Sequence, residues 1–347
     1  MASSLGPHQM RIFVNSIKKW APSSWQLLRP IRHNSSNASF GGYYTRDPGP
    51  IFFNSEVQRL LKNMTGSNFD KVFRQRKLGE RLSPPSYKFM SEEELQAARK
   101  EAEEKASHKL QMPPLIRERE PINEVLSYDP EIQGFDKSKY VFTDITYGVS
   151  ERKRWIVVRD PDGTLRQASW DERAKVSQIY FPQQGRHIAM PKMFEDENLQ
   201  LCLDRGEYDF ILDRACVQFE PDDPEYIRVS RKTYNAINDK QHYDKIHSTR
   251  HYGPMVLHLL LSDKADDLLI FLITHKDVQS AADLVRLYRE VHPESSLLKD
   301  VESDSDLIQV YAKNYSLKRA LVERAWEAYE EIQNQQKELE SKIVRSQ

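Results

Sequence analysis

The sequence predicts an α+β fold, mostly helical: a small antiparallel three-stranded sheet packed on helices, then an array of antiparallel helices and a long C-terminal helix. Three observations carry this. Strand-like patterning is confined to residues 139–168, around the turn Pro161-Asp162-Gly163. Serine-initiated capping boxes at Ser91 and Ser169 announce helices on both sides of it. From about residue 194 onward the apolar residues recur at helical spacing.

Four regions follow along the chain. Residues 1–46 hold six cations (Arg11, Lys18, Lys19, Arg29, Arg32 and Arg46), eight serines and no acid, with an amphipathic MRIFVNSIKKW. That is the composition of a mitochondrial transit peptide; a basic tail that binds nucleic acid has the same composition. Residues 47–137 form an extended N-terminal segment. In it Val57, Leu60, Leu61 and Met64 mark a short helix, and SEEELQAARKEAEEKASHKL (91–110) marks a second. In that second helix Ser91 caps, Glu94 completes the box, three acids sit at the positive end of the dipole, and Glu101 pairs with Lys105. Its apolar stripe is thin, so it lies on another surface or stands solvated. MPPLIREREPINEVL (112–126) reads as a proline-broken link.

Residues 138–194 are expected to hold the sheet and one helix. KYVFTDITYGV alternates, RWIVVRD follows, and TLRQA returns after the turn. In that turn proline presets φ and glycine accepts the positive φ that closes it. Tyr140, Trp155, Val157 and Trp170 are the expected seam between sheet and helices. Residues 195–347 are expected to be helical, with links of a few residues and no fixed repeat period. The last helix runs from Ser316 to about Val344, with Leu321, Ala325, Ala328, Ile332, Leu339 and Ile343 near one stripe.

Composition argues against catalysis. There are twelve glycines in 347 residues, about half the usual share of roughly 7 %, where phosphate-cradling and catalytic loops use glycine heavily. Phosphate-binding, dinucleotide-binding, nucleophile-elbow and zinc-protease motifs are all missing. Cys202 and Cys216 have neither metal nor disulfide-framework spacing and read as buried thiols. His247, His251 and His258 share a helical spacing, but Gly253-Pro254 interrupts it and no further ligand completes a zinc set. No cofactor, metal, membrane span or small-molecule substrate is expected.

The positive signals are two basic surfaces. Arg152, Lys153 and Arg154 precede the central strand, Arg159 ends it, and Arg166 lies across the turn. In PDDPEYIRVSRKTYNAI, Asp223 caps and Pro224 fits the first helical position; Tyr226, Ser230, Thr233, Tyr234 and Ile237 share one side, with Arg228, Arg231 and Lys232 opposite. Such cations suit a phosphate backbone, supplying affinity without reading bases. A solvated face paired with the acidic helices beside it accounts for the same residues, because residues 195–225 hold eleven acids against Arg205 and Arg214. Without residues 1–46 the chain has 45 cations against 52 acids. At a charge near −7, any basic surface must be local.

Several blocks are long and unusual: LQMPPLIREREPINEVL, KYVFTDITYG, WIVVRDPDGTLRQASWDER, YFPQQGR, QFEPDDPEYIRVSRKTY and STRHYGPMVLHL. Together, over about residues 55–290, they resemble the animal mitochondrial small-subunit ribosomal protein family numbered twenty-two in its series. The resemblance implies a non-enzymatic, matrix-facing structural protein that contacts small-subunit rRNA and neighbouring ribosomal proteins. It brings no catalytic residues. Two other functions stay open on the residues alone: a free mitochondrial RNA-binding factor, marked by steep salt dependence, and a matrix enzyme, marked by a pocket with converging polar groups.

Overall fold

A computed structural model describes residues 44, 46–74, 84, 86–134, 137–298, 301 and 303–346, those from 340 on as backbone only. The expected transit peptide, apart from Tyr44 and Arg46, lies outside the described residues. In chain order the N-terminal helices are α1 (Pro48–Phe52), α2 (Ser55–Thr65), α3 (Phe69–Val72) and α4 (Glu92–Lys109). The strands are β1 (Val125–Tyr128), β2 (Tyr140–Thr143), β3 (Ile156–Arg159) and β4 (Thr164–Gln167). Then come α5 (Trp170–Tyr180), α6 (Asp196–Arg205), α7 (Tyr208–Gln218), α8 (Pro224–Lys240) and α9 (Tyr243–Ile246). The chain closes with α10 (Tyr252–Leu261), α11 (Ala265–Thr274), α12 (Val278–Val291), α13 (Asp304–Asn314) and α14 (Arg319–Ser346).

The core begins with α2. Asn54 accepts from the Glu56 amide as N-cap, and Gly66 ends the helix at φ 62°. Val57, Leu60, Leu61 and Met64 are all buried, against α10 and α12. Ser248 donates its amide to the Thr65 carbonyl, which ties the end of α2 to the loop before α10. This N-terminal helix is therefore part of the same apolar core as the C-terminal array. The core's centre is α10, whose residues Tyr252–Leu260 are buried on every side. A helix apolar all round needs neighbours all round, and α2, α8, α11 and α12 supply them.

The capping boxes form as the sequence predicts. Ser91 and Glu94 exchange side-chain and backbone bonds at the start of α4, and Ser169 and Glu172 do so at α5. In α4 only Ala106 is buried, and the Glu101–Lys105 pair lies exposed on its surface.

The sheet has four strands in the order β1-β4-β3-β2, all antiparallel, where the sequence predicts three. The additional strand, Val125–Tyr128, lies at the end of the stretch read as a link. All four of its residues are exposed, so no buried alternation marks it. It exists through its pairing with β4, across a bulge between Val125 and Ser127.

The expected seam is also corrected. The buried side of the sheet is Ile156, Val158 and Ala168, packed on Val176 of α5. Trp155 is 60 % exposed and Tyr140 51 % exposed, on the opposite side. Val157 and Trp170 are half-buried. The reason is strand parity: adjacent positions face opposite sides, and α5 covers the Ile156/Val158 side. Trp170 instead clamps the link, its indole Nε1 donating to the Glu120 carbonyl (2.8 Å) under the Arg119 guanidinium.

The last helix is corrected in the same way. Its packed stripe is Val322, Ala325, Trp326 and Tyr329, while Leu321, Ile332 and Leu339 are exposed. The predicted stripe is rotated by about one position, because α11 and α13 meet the side carrying Trp326.

Gly163 sits at φ 91°, and a Cβ there would run into the Asp129 backbone carbonyl. Its own carbonyl accepts from the Asp129 amide (3.0 Å) and from Arg159 (2.8 Å). Gly163→Ala is expected to cost about 1–3 kcal/mol and to release β1 from the sheet. Hydrogen exchange of the β1 amides, with a thermal melt, reads both effects.

Candidate docking surfaces

The two basic clusters adjoin each other. Arg152 of the first pairs with Asp222 (2.8 Å), and Arg119 of the link pairs with Asp223, the N-cap of α8. The second cluster lies on that same helix. What differs from the sequence expectation is how much of the positive charge is already spent.

Arg154 points inward and is only 4 % exposed. Its guanidinium donates to the carbonyls of Asp144 (2.6 Å), Thr146 (3.1 Å) and Val149 (2.9 Å), and stacks over Phe181 at 3.8 Å. It shapes the 144–150 loop and offers nothing to an outside anion. Arg173, also buried, donates to the carbonyls of Glu151, Arg152 and Arg154 from below. Arg166 is held between Asp160 (2.7 Å) and Glu172 (2.8 Å). Hydrogen bonding from Arg166 lowers the Glu172 carboxyl to about 2. Burial opposes ionisation of Asp160, but Arg166 and Lys139 outweigh it and keep that carboxyl low. Arg159 donates to the Gly163 carbonyl. Lys153 is exposed, and Arg152 keeps half its side chain in solvent.

On α8 the apolar side is as expected: Tyr226, Ser230, Thr233, Tyr234 and Ile237 are all buried. The cationic side is half-covered. Arg228 bridges Glu225 (2.7 Å) and Asp196 (2.8 Å), and Lys232 reaches the same Asp196 (3.1 Å). Arg231 lies over the Tyr44 ring. Asp196 is the first residue of α6, so the acidic helices beside α8 do take up its cations.

Beneath this face is a buried polar cluster. Tyr44 and His258 share a hydrogen bond of 2.6 Å. Burial pushes Tyr44 up to about 12 and His258 down to about 3. Burial also lowers His247 and His251, the latter against the opposing pull of Asp213. Desolvation works against the Asp213 carboxylate, yet His251 (2.9 Å) and Arg250 (2.8 Å) hold it well below the ordinary range. Cys216 is buried beside Tyr226, and Cys202 is half-buried.

The unfolded His258 takes a proton near pH 6.5 and the folded one only near 3. Its contribution is therefore full above about pH 6.5 and is lost as pH falls toward 3. His247 and His251 act in the same direction. The melting temperature is expected to drop steadily from pH 7 to pH 4, by the equivalent of a few kcal/mol. His258→Phe should flatten that slope in parallel calorimetric scans.

Sequence reasoning missed the outer side of the sheet. Tyr140, Phe142 and Trp155 lie side by side there, with Val157 and Leu165 next to them. Beyond them Ile145 and Tyr147 are also exposed. The signal was present: in KYVFTDITYGV both phases of the alternation are apolar. A strand buried on both sides reads this way, and here Tyr140, Val141 and Phe142 are all exposed, with the outer side of the sheet uncovered among the described residues. No group of His, Cys, Asp and Glu among the described residues could hold a metal ion, and no helix there is long and apolar enough to cross a membrane.

The fold and its surfaces define an α+β protein: a helical body with its cations largely paired, and a small sheet whose apolar outer side is uncovered among the described residues. Comparison with known proteins narrows that class. The chain belongs to the mitochondrial 28S ribosomal protein S22 family, whose sequence model matches residues 50–293. It is similar to the small ribosomal subunit protein mS22 of Mus musculus, 40 % identical over 315 residues, covering 90 % of this chain and 87 % of that protein. It is likewise similar to mS22 of Bos taurus, 41 % identical over 306 residues, covering 87 % and 84 %.

Proposed function

We propose that this chain is a structural component of the small subunit of the mitochondrial ribosome, working in the matrix by docking on small-subunit rRNA and on neighbouring ribosomal proteins, with no reaction of its own. The observation that carries this reading is membership of the family across the sheet and most of the helical array. The acid-free, Arg- and Ser-rich residues 1–46 support import into the organelle.

Among the basic residues, Lys153 and the exposed half of Arg152 are the phosphate contacts of this reading, because they keep charge in solvent. Arg166, Arg228, Arg231 and Lys232 contribute edge contacts while anchored to their own acids or, for Arg231, to Tyr44. Arg154 fixes the 144–150 loop that leads into Arg152 and Lys153. Tagged protein is expected to sediment with the small subunit and its rRNA in a gradient of mitochondrial lysate. Sedimentation with free transcripts at low salt, away from the subunit, would instead support an RNA-binding factor.

A further inference from the structure

The two edges of the sheet are not equivalent. β1 is interrupted by its bulge, which is one way proteins blunt an edge against pairing. β2 has no bulge, no proline and no charge: it reads Tyr140-Val141-Phe142-Thr143 and pairs in unbroken register with β3. Its backbone polarity follows from the bonds around it. The Asp144 amide donates to the Trp155 carbonyl, and the Ala168 amide to the Ile156 carbonyl. Hydrogen-bonded pairs alternate along an antiparallel ladder. Phe142 and Tyr140 therefore bond toward β3, and the amides and carbonyls of Val141 and Thr143 point out of the sheet. Among the described residues, nothing accepts or fills them.

We propose that β2 is a strand-addition site, where an extended, uncharged, apolar-alternating segment of a neighbouring protein pairs with Val141 and Thr143 as a fifth strand. Backbone bonds would give affinity, and Tyr140, Phe142 and Trp155 would receive the segment's side chains on the open side. Charge selects this occupant over nucleic acid. Of the cations beside β2, Lys139 is paired with Asp160 (3.2 Å) and Arg159 with the Gly163 carbonyl. The strand itself is uncharged and apolar, which matches a polypeptide strand, and Lys139 at its start is already shared between Asp160 and Glu172. The proposal rests on the docking reading and names the partner of one of its surfaces.

The test uses the full chain in assembled subunits, with the photoreactive residue p-benzoylphenylalanine in place of Phe142. Sedimentation of that chain reports the docking reading, and the crosslinked product reports strand addition, so the two fail separately. The expected product is a crosslink to one segment of another protein. The Val141 and Thr143 amides should also exchange about tenfold or more slowly in the subunit than in the free chain. Val141→Pro removes only an outward donor, which edge strands tolerate. It should leave the melt of the free chain unchanged and remove most of the crosslink. If that variant melts early, the exchange measurement decides without it. A crosslink to rRNA or to a second copy of this chain would overturn the proposal, as would fast exchange of both amides in the subunit.

Discussion

Replacing Asp266 by alanine is expected to detach the C-terminal helix. Asp266 lies in the first turn of α11 and is only 5 % exposed. Its carboxylate accepts from the Tyr311 hydroxyl of α13 (2.9 Å), the Ser316 hydroxyl (2.9 Å) and the Lys318 amide (2.9 Å). These three donors span the turn between α13 and α14, so one side chain fixes where the last helix begins. Alanine would leave the buried Tyr311 hydroxyl and the Ser316 hydroxyl without this acceptor, while the Lys318 amide would keep only the Ser316 Oγ (3.1 Å). Hydrogen bonds to a charged group contribute about 1.5–3 kcal/mol each, so a loss of about 3–5 kcal/mol is expected. Asp266→Asn keeps one acceptor oxygen and should lose roughly half of that. The melting temperature gives the total, and hydrogen exchange of the α14 amides shows where the loss falls. Unchanged exchange in α14 would mean that Val322 and Trp326 hold the helix without the carboxylate.

Arg154→Ala is the second large effect, and it bears directly on docking. The wild-type guanidinium satisfies the carbonyls of Asp144, Thr146 and Val149 while covering Phe181. Each carbonyl left dry and unpaired costs about 1–3 kcal/mol, and relaxation into water recovers part of it. A local loss of about 3–5 kcal/mol is expected, together with disorder of the 144–150 loop. Lys153→Ala, one residue away and exposed, should leave the melt unchanged within about 0.5 kcal/mol. The contrast separates two cations that the sequence presents as equals. Both variants should bind the subunit less well, Arg154→Ala through a lost loop and Lys153→Ala through a lost contact. Near-UV circular dichroism of the free proteins tells these apart.

Much of the fold was legible because its signals are local. Ser91 and Ser169 accept from backbone amides next to them, and Gly163 supplies a φ that few other residues adopt. The helical stripe of α8 depends only on spacing. The candidate site was less legible because exposure of a cation is not a local property. Arg152, Lys153 and Arg154 form one run in sequence, yet the turn they occupy and the nearby loop carbonyls bury the third and leave the second in water. Lys232 lies outside the core as its spacing predicts, but Asp196, from another helix, already occupies it.

From the sequence alone came the class of the fold, the helix starts capped by Ser91, Ser169 and Asp223, the sharp turn of the hairpin, and the expectation that no reaction centre is encoded. Those depend on residue chemistry within a few positions, where the chain has no freedom to choose partners. Tertiary structure decided the fourth strand, the phase of the sheet, the one-position rotation of the last helix, and which charges remain available. Each of these is a pairing between segments far apart in the chain. An apolar run on two phases states that both sides of β2 want cover, but only the assembled fold reveals that α5 covers β3 and β4 at Ile156, Val158 and Ala168 and leaves Val141 of β2 exposed.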